Sequence, residues 1–417
     1  MKKKECIIHI IGAGISGLIA ARVLEDHGYS SVIIEATDRV GGRVKTDRIN
    51  GFQVDHGFQV LLTGYPAAQK YLNYEALELQ KIMPGACIFK NGKQKRLGDP
   101  LRAPSLLLPT LFSDIGTVSD KFKILKLNLK LKFKKTSTIF AEKEQTTLSY
   151  LQDFGFSNSI INDFFKPFFS GIFLETKLET SSRMFEFVYK MFGDGYASIP
   201  KNGMEAIPKQ IKQSLKKTNF KFNSKVASIE DGQIFLEDNS TINSDYTILA
   251  TEVNQLVAGI KKKKPIEWRS CKTLYFEADV RHIRTKLIGL IQKNDSLVNN
   301  IFYHTSLTST TKKNVELLSV TVIDSQNLSD LILIEQVKIE LQELCGIDSL
   351  TFIKQYTLPK ALPKLKNLKD EILPSETRLT KNLFLAGDNQ LNGSLNAAMI
   401  SGERAALGVI ESLLKED

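Results

Sequence analysis

Gly12, Gly14 and Gly17 stand in the order Gly-x-Gly-x-x-Gly, after a short apolar run and ahead of a longer one. Each glycine answers its own steric demand. Gly12 permits a tight turn, Gly14 lets the backbone approach a pyrophosphate, and Gly17 lets the following helix pack closely on the strand. The first turn of that helix aims free N–H groups and the positive end of its dipole at the anion. Glu35 follows Gly17 by 18 residues, where a carboxylate at a strand end accepts the hydroxyls of an adenosine ribose. Gly12, Ala13, Gly14, Ile15, Ser16, Gly17 and Glu35 together predict a dinucleotide site, against the alternative of a glycine-rich turn in an unrelated sheet.

To bring these residues together the chain must supply a strand, a helix and a second strand. Glu5 to Ile11 is a short apolar run bounded by glycine, as expected of a strand buried on both faces. Gly17 to His27 reads as a helix closed by Gly28, and Ser31 to Ile34 as the second strand. Such a βαβ unit leaves its first loop at the carboxyl edge of a parallel sheet, where ligands bind. Farther on, the sequence predicts a helix from Gln210 to Lys217, a strand containing Val226, a turn at Asp231-Gly232 and a strand from Tyr246 to Ala250. Residues 266 to 360 carry β-like runs at Thr273 to Ala278, Val315 to Val322 and Thr351 to Tyr356, with a helix near 334 to 345. Leu383 to Ala386 reads as a strand and Ala397 to Leu414 as a helix.

Composition narrows the classes without choosing among them. The 417 residues exceed one ordinary domain, and the net charge of +10 fits an anionic ligand, a membrane surface or a lysine-rich proteome alike. Cys6, Cys87, Cys271 and Cys345 lie far apart with no CxxC spacing, so neither a disulfide framework nor a metal site is expected, and a reducing cytoplasm fits best. The histidines at 9, 27, 56, 282 and 304 form no HExxH pattern, and neither a metal nor a nucleic-acid partner is expected. Met1 to Lys4 and the apolar run through Ala21 imitate a secretory signal, but three glycines at nucleotide-binding spacing argue for a retained strand and helix. No other run of 18 apolar residues predicts a membrane span.

The stretch Glu35-Ala36-Thr37-Asp38-Arg39-Val40-Gly41-Gly42-Arg43 resembles the second signature of the flavin amine oxidase superfamily, which includes amine oxidases, phytoene desaturases and protoporphyrinogen oxidases. The resemblance implies FAD, held in part by Ala36, Arg39, Gly41, Gly42 and Arg43, with Gly41-Gly42 passing close under the cofactor and Arg43 offering a fork of donors. A third match runs from Leu383 through Gly387, Asp388, Gly393, Ser394, Asn396 and Ala397 to Ala406. In the family this segment completes the flavin site, which implies Asp388 at the ribityl or pyrophosphate region and the helix start near Asn396 at flavin N1 and the C2 carbonyl. Gly57, Phe58 and Gln59, after Asp55 and His56, resemble the segment beside the isoalloxazine, and Val226 takes the place of a main-chain contact to adenine. Asp55 as a turn cap and Val226 as plain core remain the alternatives. No terminal cysteine resembles the family's covalent attachment, so FAD is expected to be non-covalent; no second GxGxxG suits NADPH, so oxygen or a quinone is the expected acceptor. The implied fold class is α/β, a discontinuous Rossmann-type FAD-binding domain (1–85, 201–262, 373–417) with an inserted α+β substrate domain, mainly helical over 86–200 and β-rich over 263–372.

Within the superfamily, Phe164 to Phe173, Thr180 to Phe185 and Pro200 to Pro208 are most similar to the desaturase-like branch, with Asn202 in place of the usual first glycine. This implies removal of hydride from an apolar substrate of isoprenoid or tetrapyrrole type to flavin N5. An amine oxidase producing peroxide is the alternative, and a flavin-binding protein without turnover is the third reading. Amine oxidases place an aromatic ring where this chain has Ser394-Leu395, and Trp268, the single tryptophan, lies elsewhere in the sequence. Lys272 falls near the family's lysine that holds water at N5, and is the one catalytic candidate; a strand-edge lysine is its alternative. Met184, Phe185, Phe187, Val188, Tyr189, Met191 and Phe192 recur at helical spacing, as core or as the wall of an apolar tunnel. Asp120 to Lys135 interleaves lysines with Phe122, Leu125, Leu129 and Phe133 at a period between 2 and 3.6, and Ser119-Asp120 as an N-cap selects a basic amphipathic helix. Such a helix is either solvated or a peripheral contact to the inner membrane face.

Overall fold

The computed structural model describes all residues except 1–5, 231, 254–255, 258–265, 294, 308–314, 326–327 and 417. The leader-like Met1 to Lys4, Glu5 at the expected strand start, and Asp231 of the expected turn lie outside the described residues.

Ile8–Ile11 is the centre of a five-stranded parallel sheet, in the order Asn219–Lys221, Val32–Ile34, Ile8–Ile11, Tyr246–Leu249, Leu383–Leu385. Alternation along these strands divides the core in two. Ile10, Ile33, Ile248 and Phe384 face the Ile15–Asp26 and Leu395–Glu416 helices, whereas Ile11, Ile34, Leu249 and Leu385 face the antiparallel meander Val226–Glu230, Gln233–Leu236, Thr241–Asn243. Each such side chain contributes roughly 1.5–3 kcal/mol by leaving water. The two helices touch backbone to backbone, because a Cβ on Gly402 would lie 2.2 Å from the Ser16 carbonyl oxygen. The edge strand Asn219–Lys221 has no counterpart in the sequence reading; three residues with one apolar side chain give no period to detect.

A seven-stranded sheet forms the second layer, in the order Leu350–Lys364, Glu267–Ala278, Glu316–Val322, Val298–Tyr303, Ile288–Ile291, Gly85–Lys90, Lys93–Gly98. Ile288–Ile291 and Gly85–Lys90 pair in parallel and the remaining neighbours antiparallel. Two of its strands thus come from the stretch read as mainly helical. Lys93–Gly98, with the sequence KQKRLG, is a polar edge strand whose side chains do not alternate. The mixed α/β class read from the sequence is the class observed.

The helices packed beside the seven-stranded sheet come largely from residues 107 to 194. Val118–Phe133 is a helix, but Ser119-Asp120 is not its cap. Thr117 is: its Oγ1 accepts from the Asp120 N–H at 3.1 Å while Asp120 Oδ2 accepts from the Thr117 N–H at 2.8 Å, a reciprocal capping box. Asp120 is buried and also accepts from the Ser157 N–H and hydroxyl, tying the helix start to its neighbour. Among the described residues no helix is long and apolar enough to cross a membrane.

Candidate functional site

One cavity of about 1760 Å³ runs from the carboxyl edge of the parallel sheet, between the two layers, to the helices at 107–133. Its inner end is built by the first loop. Gly12 turns there at φ +104°, donating its N–H to the Ile34 carbonyl at 2.8 Å, and Gly12, Gly14, Ile15 and Ser16 line the cavity. A Cβ on Gly14 would meet nothing within 4 Å, so its open side faces the void. The Ile15–Asp26 helix has no side-chain cap, which leaves its first N–H groups for an anion. Gly17 does not line the cavity; a Cβ there would lie 2.0 Å from the Gly12 carbonyl oxygen, so its role is packing.

Gly41, Gly42 and Arg43 form the opposite lip. Gly42, at φ +60°, would place a Cβ 3.3 Å from the Gly14 Cα, so the two loops pass in contact. Glu35 lines the same end: Oε2 accepts from the Ala13 N–H at 2.7 Å, and Oε1 from the Thr37 N–H at 2.9 Å and hydroxyl at 2.8 Å. Ala13 itself is buried behind the loop, and Ala36 is exposed outside the cavity. Arg39 also stays outside, paired with Asp47 at 2.6 Å and Glu205 at 3.1 Å. It braces a network in which Asp47 holds His56 at 2.9 Å, and the His56 ring stacks on Tyr356 at 4.4 Å.

Segments from the two ends of the chain meet where Arg43 Nη2 donates to Asp388 Oδ1 at 2.5 Å. The single tryptophan, remote in sequence, belongs to this place: the Trp268 ring lines the cavity 5.4 Å from the Arg43 guanidinium carbon. Gly387, Asp388 and Ser394 line the wall. Asn396 and Ala397 do not: Asn396 Oδ1 accepts from the Ala67 N–H at 3.0 Å, and the Ala397 N–H caps on Ser394 Oγ at 3.0 Å. Val226 packs in the meander's core away from the cavity, paired across the strands with Leu236.

Gly57, Phe58 and Gln59 line the middle of the cavity. Gly57 has φ +96°, and a Cβ there would strike Leu358 at 2.7 Å. Gln59 Nε2 donates to the Arg43 and His56 carbonyls at 3.0 and 2.9 Å, fixing one loop to the other. Asp55 acts as a buried clamp behind them, accepting from the Thr46 hydroxyl at 2.5 Å and the Met204 N–H at 3.0 Å. Burial pushes its carboxyl up to about 6 despite those bonds.

Lys272 is displaced from the site by strand parity. Along Glu267–Ala278, Cys271 and Thr273 line the cavity, and Lys272 lies on the reverse face, bonded to Asp330 Oδ1 at 2.8 Å. The residue that sequence reasoning missed is its neighbour. Thr273 is fully buried, with an Oγ1 that has no hydrogen-bond partner among the described residues, and in adjacent strands it stands beside Thr321, itself paired with Asn300. All three line the cavity, and Asn300 Nδ2 donates to Thr321 Oγ1 at 3.2 Å. No motif marks this row, which only the register of three strands creates.

The outer half of the cavity is apolar, and the Ser182–Asp194 helix answers both readings of its stripe. Phe185, Phe187 and Met191 face the core, while Met184, Val188, Tyr189 and Phe192 line the cavity with Phe164 and Phe168. Among the described residues no cluster of three or more His, Cys, Asp or Glu side chains is placed to hold a metal ion.

A family model described as flavin containing amine oxidoreductase matches residues 15–410. An L-amino-acid oxidase from Sistrurus catenatus edwardsii is 25% identical over 281 residues, 62% of this chain and 52% of that protein. Protoporphyrinogen oxidase 2 from Arabidopsis thaliana is 26% identical over 164 residues, 39% of this chain and 32% of that protein. The chain thus spans about half or less of the length of these curated relatives. A solved cyclohexylamine oxidase from Brevibacterium oxydans superposes with a TM-score of 0.69 at 14% identity, covering 99% of this chain and 100% of that one; at that identity the likeness is one of fold.

Proposed function

Since the chain belongs to the flavin containing amine oxidoreductase family, whose cofactor is FAD, we propose that it is an oxidoreductase that removes hydride from an apolar organic substrate of isoprenoid or tetrapyrrole type. The observation that carries this reading is one continuous cavity joining a glycine-lined cradle to an apolar tunnel. Its volume of about 1760 Å³ exceeds the roughly 300–1,000 Å³ of a site for one small ligand, as a dinucleotide plus a substrate requires.

The residues present fit FAD. Gly14 offers the open position that a pyrophosphate needs, beside an uncapped helix start. Glu35 accepts three hydrogen bonds from the chain, which leaves about one acceptor site of its carboxylate for a ribose hydroxyl. Arg43, Asp388 and Ser394 would hold the middle of the cofactor, and Gly57, Phe58, Gln59 and Thr273 its ring end. The five-stranded sheet then serves as a Rossmann-type FAD-binding domain assembled from separated stretches, and the seven-stranded sheet with its helices as the substrate domain. FAD, when bound, supplies a two-electron acceptor for the hydride.

The chain's own part is to bind, orient and dry the substrate. Phe164, Phe168, Val188 and Phe192 give a low-dielectric wall that selects an apolar molecule and aligns its reacting carbon. The unpartnered Thr273 hydroxyl gives one polar anchor near Gly57, whose Cβ position lies 3.9 Å from Thr273 Oγ1. With Lys272 on the reverse face of its strand, no side chain is assigned as a base, and orientation carries the catalysis. The names of the relatives point to porphyrinogens and to amines, and the Ser394-Leu395 position, without a ring to flank an amine, favours the first class.

Anaerobic mixing of the FAD-loaded protein with an isoprenoid or porphyrinogen panel and an amine panel tests this. Bleaching of the flavin band by members of the first panel alone is expected, followed by recovery with oxygen or a quinone. Bleaching by amines alone, with one peroxide per turnover in air, replaces the reading with an amine oxidase. A flavin that photoreduces but is never reoxidised by either acceptor replaces it with a binding protein.

A further inference from the structure

We propose that the Leu107–Leu111 and Val118–Phe133 helices form a docking face for an anionic lipid bilayer, into which the cavity opens. In Val118–Phe133 the apolar residues Val118, Phe122, Leu125, Leu129 and Phe133 recur every three or four positions on the outer face, with Phe133 80% and Val118 69% exposed. A second stripe of Ile124, Leu127 and Leu131 packs inward. The helix is therefore apolar on two opposite faces, which water does not favour on the outer one. Leu107, Leu108, Leu111 and Phe112, the last 79% exposed, extend the patch across the shorter helix. Lys121 joins the two helices by donating to the Leu111 carbonyl at 2.8 Å and the Ser113 carbonyl at 3.0 Å.

Charge selects the occupant. At helical spacing Lys121 and Lys132 flank the outer stripe on one side and Lys126 on the other, where Lys130 is already paired with Glu186 at 2.9 Å. A second copy laid on this face would bring Lys121, Lys126 and Lys132 against one another, whereas anionic headgroups neutralise them on both flanks as the apolar stripe sinks between. The patch is also the rim of the cavity, since Leu107, Leu111, Val118, Phe122 and Leu125 line its mouth. A substrate could thus pass from lipid to tunnel without crossing water. This last step rests on the apolar-substrate reading above; the docking itself does not.

Flotation of the FAD-loaded protein with vesicles of phosphatidylcholine, alone or with phosphatidylglycerol, tests the docking. The wild type is expected to float with the mixed vesicles, less so as salt rises. The triple variant Phe112→Ser, Leu129→Ser, Phe133→Ser alters no cavity-lining residue and is expected to lose about tenfold or more in partitioning. Lys126→Gln with Lys132→Gln is expected to lose about fivefold per lysine on mixed vesicles only. Flavin absorbance and melting temperature, read on every variant, should match the wild type. Wild-type protein that stays unbound at low salt, a triple variant that floats as well, or a dimer that the triple substitution dissolves, would each overturn the proposal. If no form holds FAD while the vesicle results stand, the flavin reading fails and the docking face survives.

Discussion

Alanine at Gly14 and at Gly17 separates what the cofactor demands from what the fold demands. Gly14 has φ −73° and ψ 178°, extended backbone that alanine adopts without strain, and a Cβ there meets nothing within 4 Å. In the free protein Gly14→Ala should be neutral or stabilising by about 0.4–1 kcal/mol, because alanine has fewer unfolded conformations to lose. The new methyl nevertheless enters the space assigned to the pyrophosphate. Overpacking by a methyl costs about 1–3 kcal/mol, which is roughly 5- to 150-fold in the Kd for FAD.

Gly17 inverts the pattern. Its Cβ would lie 2.0 Å from the Gly12 carbonyl oxygen and 3.3 Å from the Ala250 Cβ, so the helix must move off its strand whether or not FAD is bound. A loss of about 3 kcal/mol or more is expected, seen as a lower melting temperature of the free protein. Thermal melting without FAD and a fluorescence titration with FAD read the two effects apart. Gly14→Ala binding FAD as tightly as the wild type, or Gly17→Ala melting with it, would refute the assignment of one glycine to the ligand and the other to packing.

Glu35→Gln removes charge from the acceptor of the Ala13 and Thr37 bonds; hydrogen bonds to charged groups contribute about 1.5–3 kcal/mol, so the free protein should lose stability of that order while the Kd for FAD rises by less than about tenfold, and a titration weakened about a hundredfold with no loss of stability would make Glu35 a direct source of affinity. The buried Asp55 carboxyl, pushed up to about 6 by burial, titrates above its unfolded value of about 4. Its contribution is therefore full below about pH 4 and lost as pH rises through about 6, so the wild type should lose stability relative to Asp55→Asn over that window; melting curves that run parallel would contradict the burial argument. Lys272→Met, on the strand face bonded to Asp330, should leave the bound-flavin spectrum and the reduction rate unchanged, and a loss of amine-dependent peroxide would restore Lys272 to the site.

Local geometry was legible in the sequence; registration was not. The turn at Gly12, the open side of Gly14 and the packing of Gly17 each follow from a missing Cβ, and the spacing shows them before any fold is known. Lys272 failed for the opposite reason. A shift of one residue along a strand carries a side chain to the other face, and nothing near Cys271-Lys272-Thr273 states which face looks inward. The outer stripe of Val118–Phe133 was ambiguous because two apolar faces with lysines between them blur the helical period. Its cap was misplaced by two residues because Asp120, a good cap by type, serves instead as the third helical residue answering Thr117.

The pattern of occupied and free groups says where affinity for FAD has to come from. Glu35 already holds Ala13 and Thr37, and Asp388 already holds Arg43. A cofactor that engages these carboxylates exchanges bonds with the chain, and an exchange contributes little net free energy. The Ser394 hydroxyl likewise caps its own helix. Among the described residues, by contrast, no side chain caps the first turn of Ile15–Asp26 and none bonds the Thr273 hydroxyl. Groups of that kind gain most when a ligand arrives, since no competing bond is broken. Affinity should therefore concentrate at the pyrophosphate and at the ring end of the cavity, with Glu35 and Asp388 acting mainly to fix the loops that present them. On that reasoning Thr273→Val weakens FAD or substrate binding more than its loss of one hydroxyl would in a hydrogen-bonded site, and binding unchanged by Thr273→Val would place the gain elsewhere.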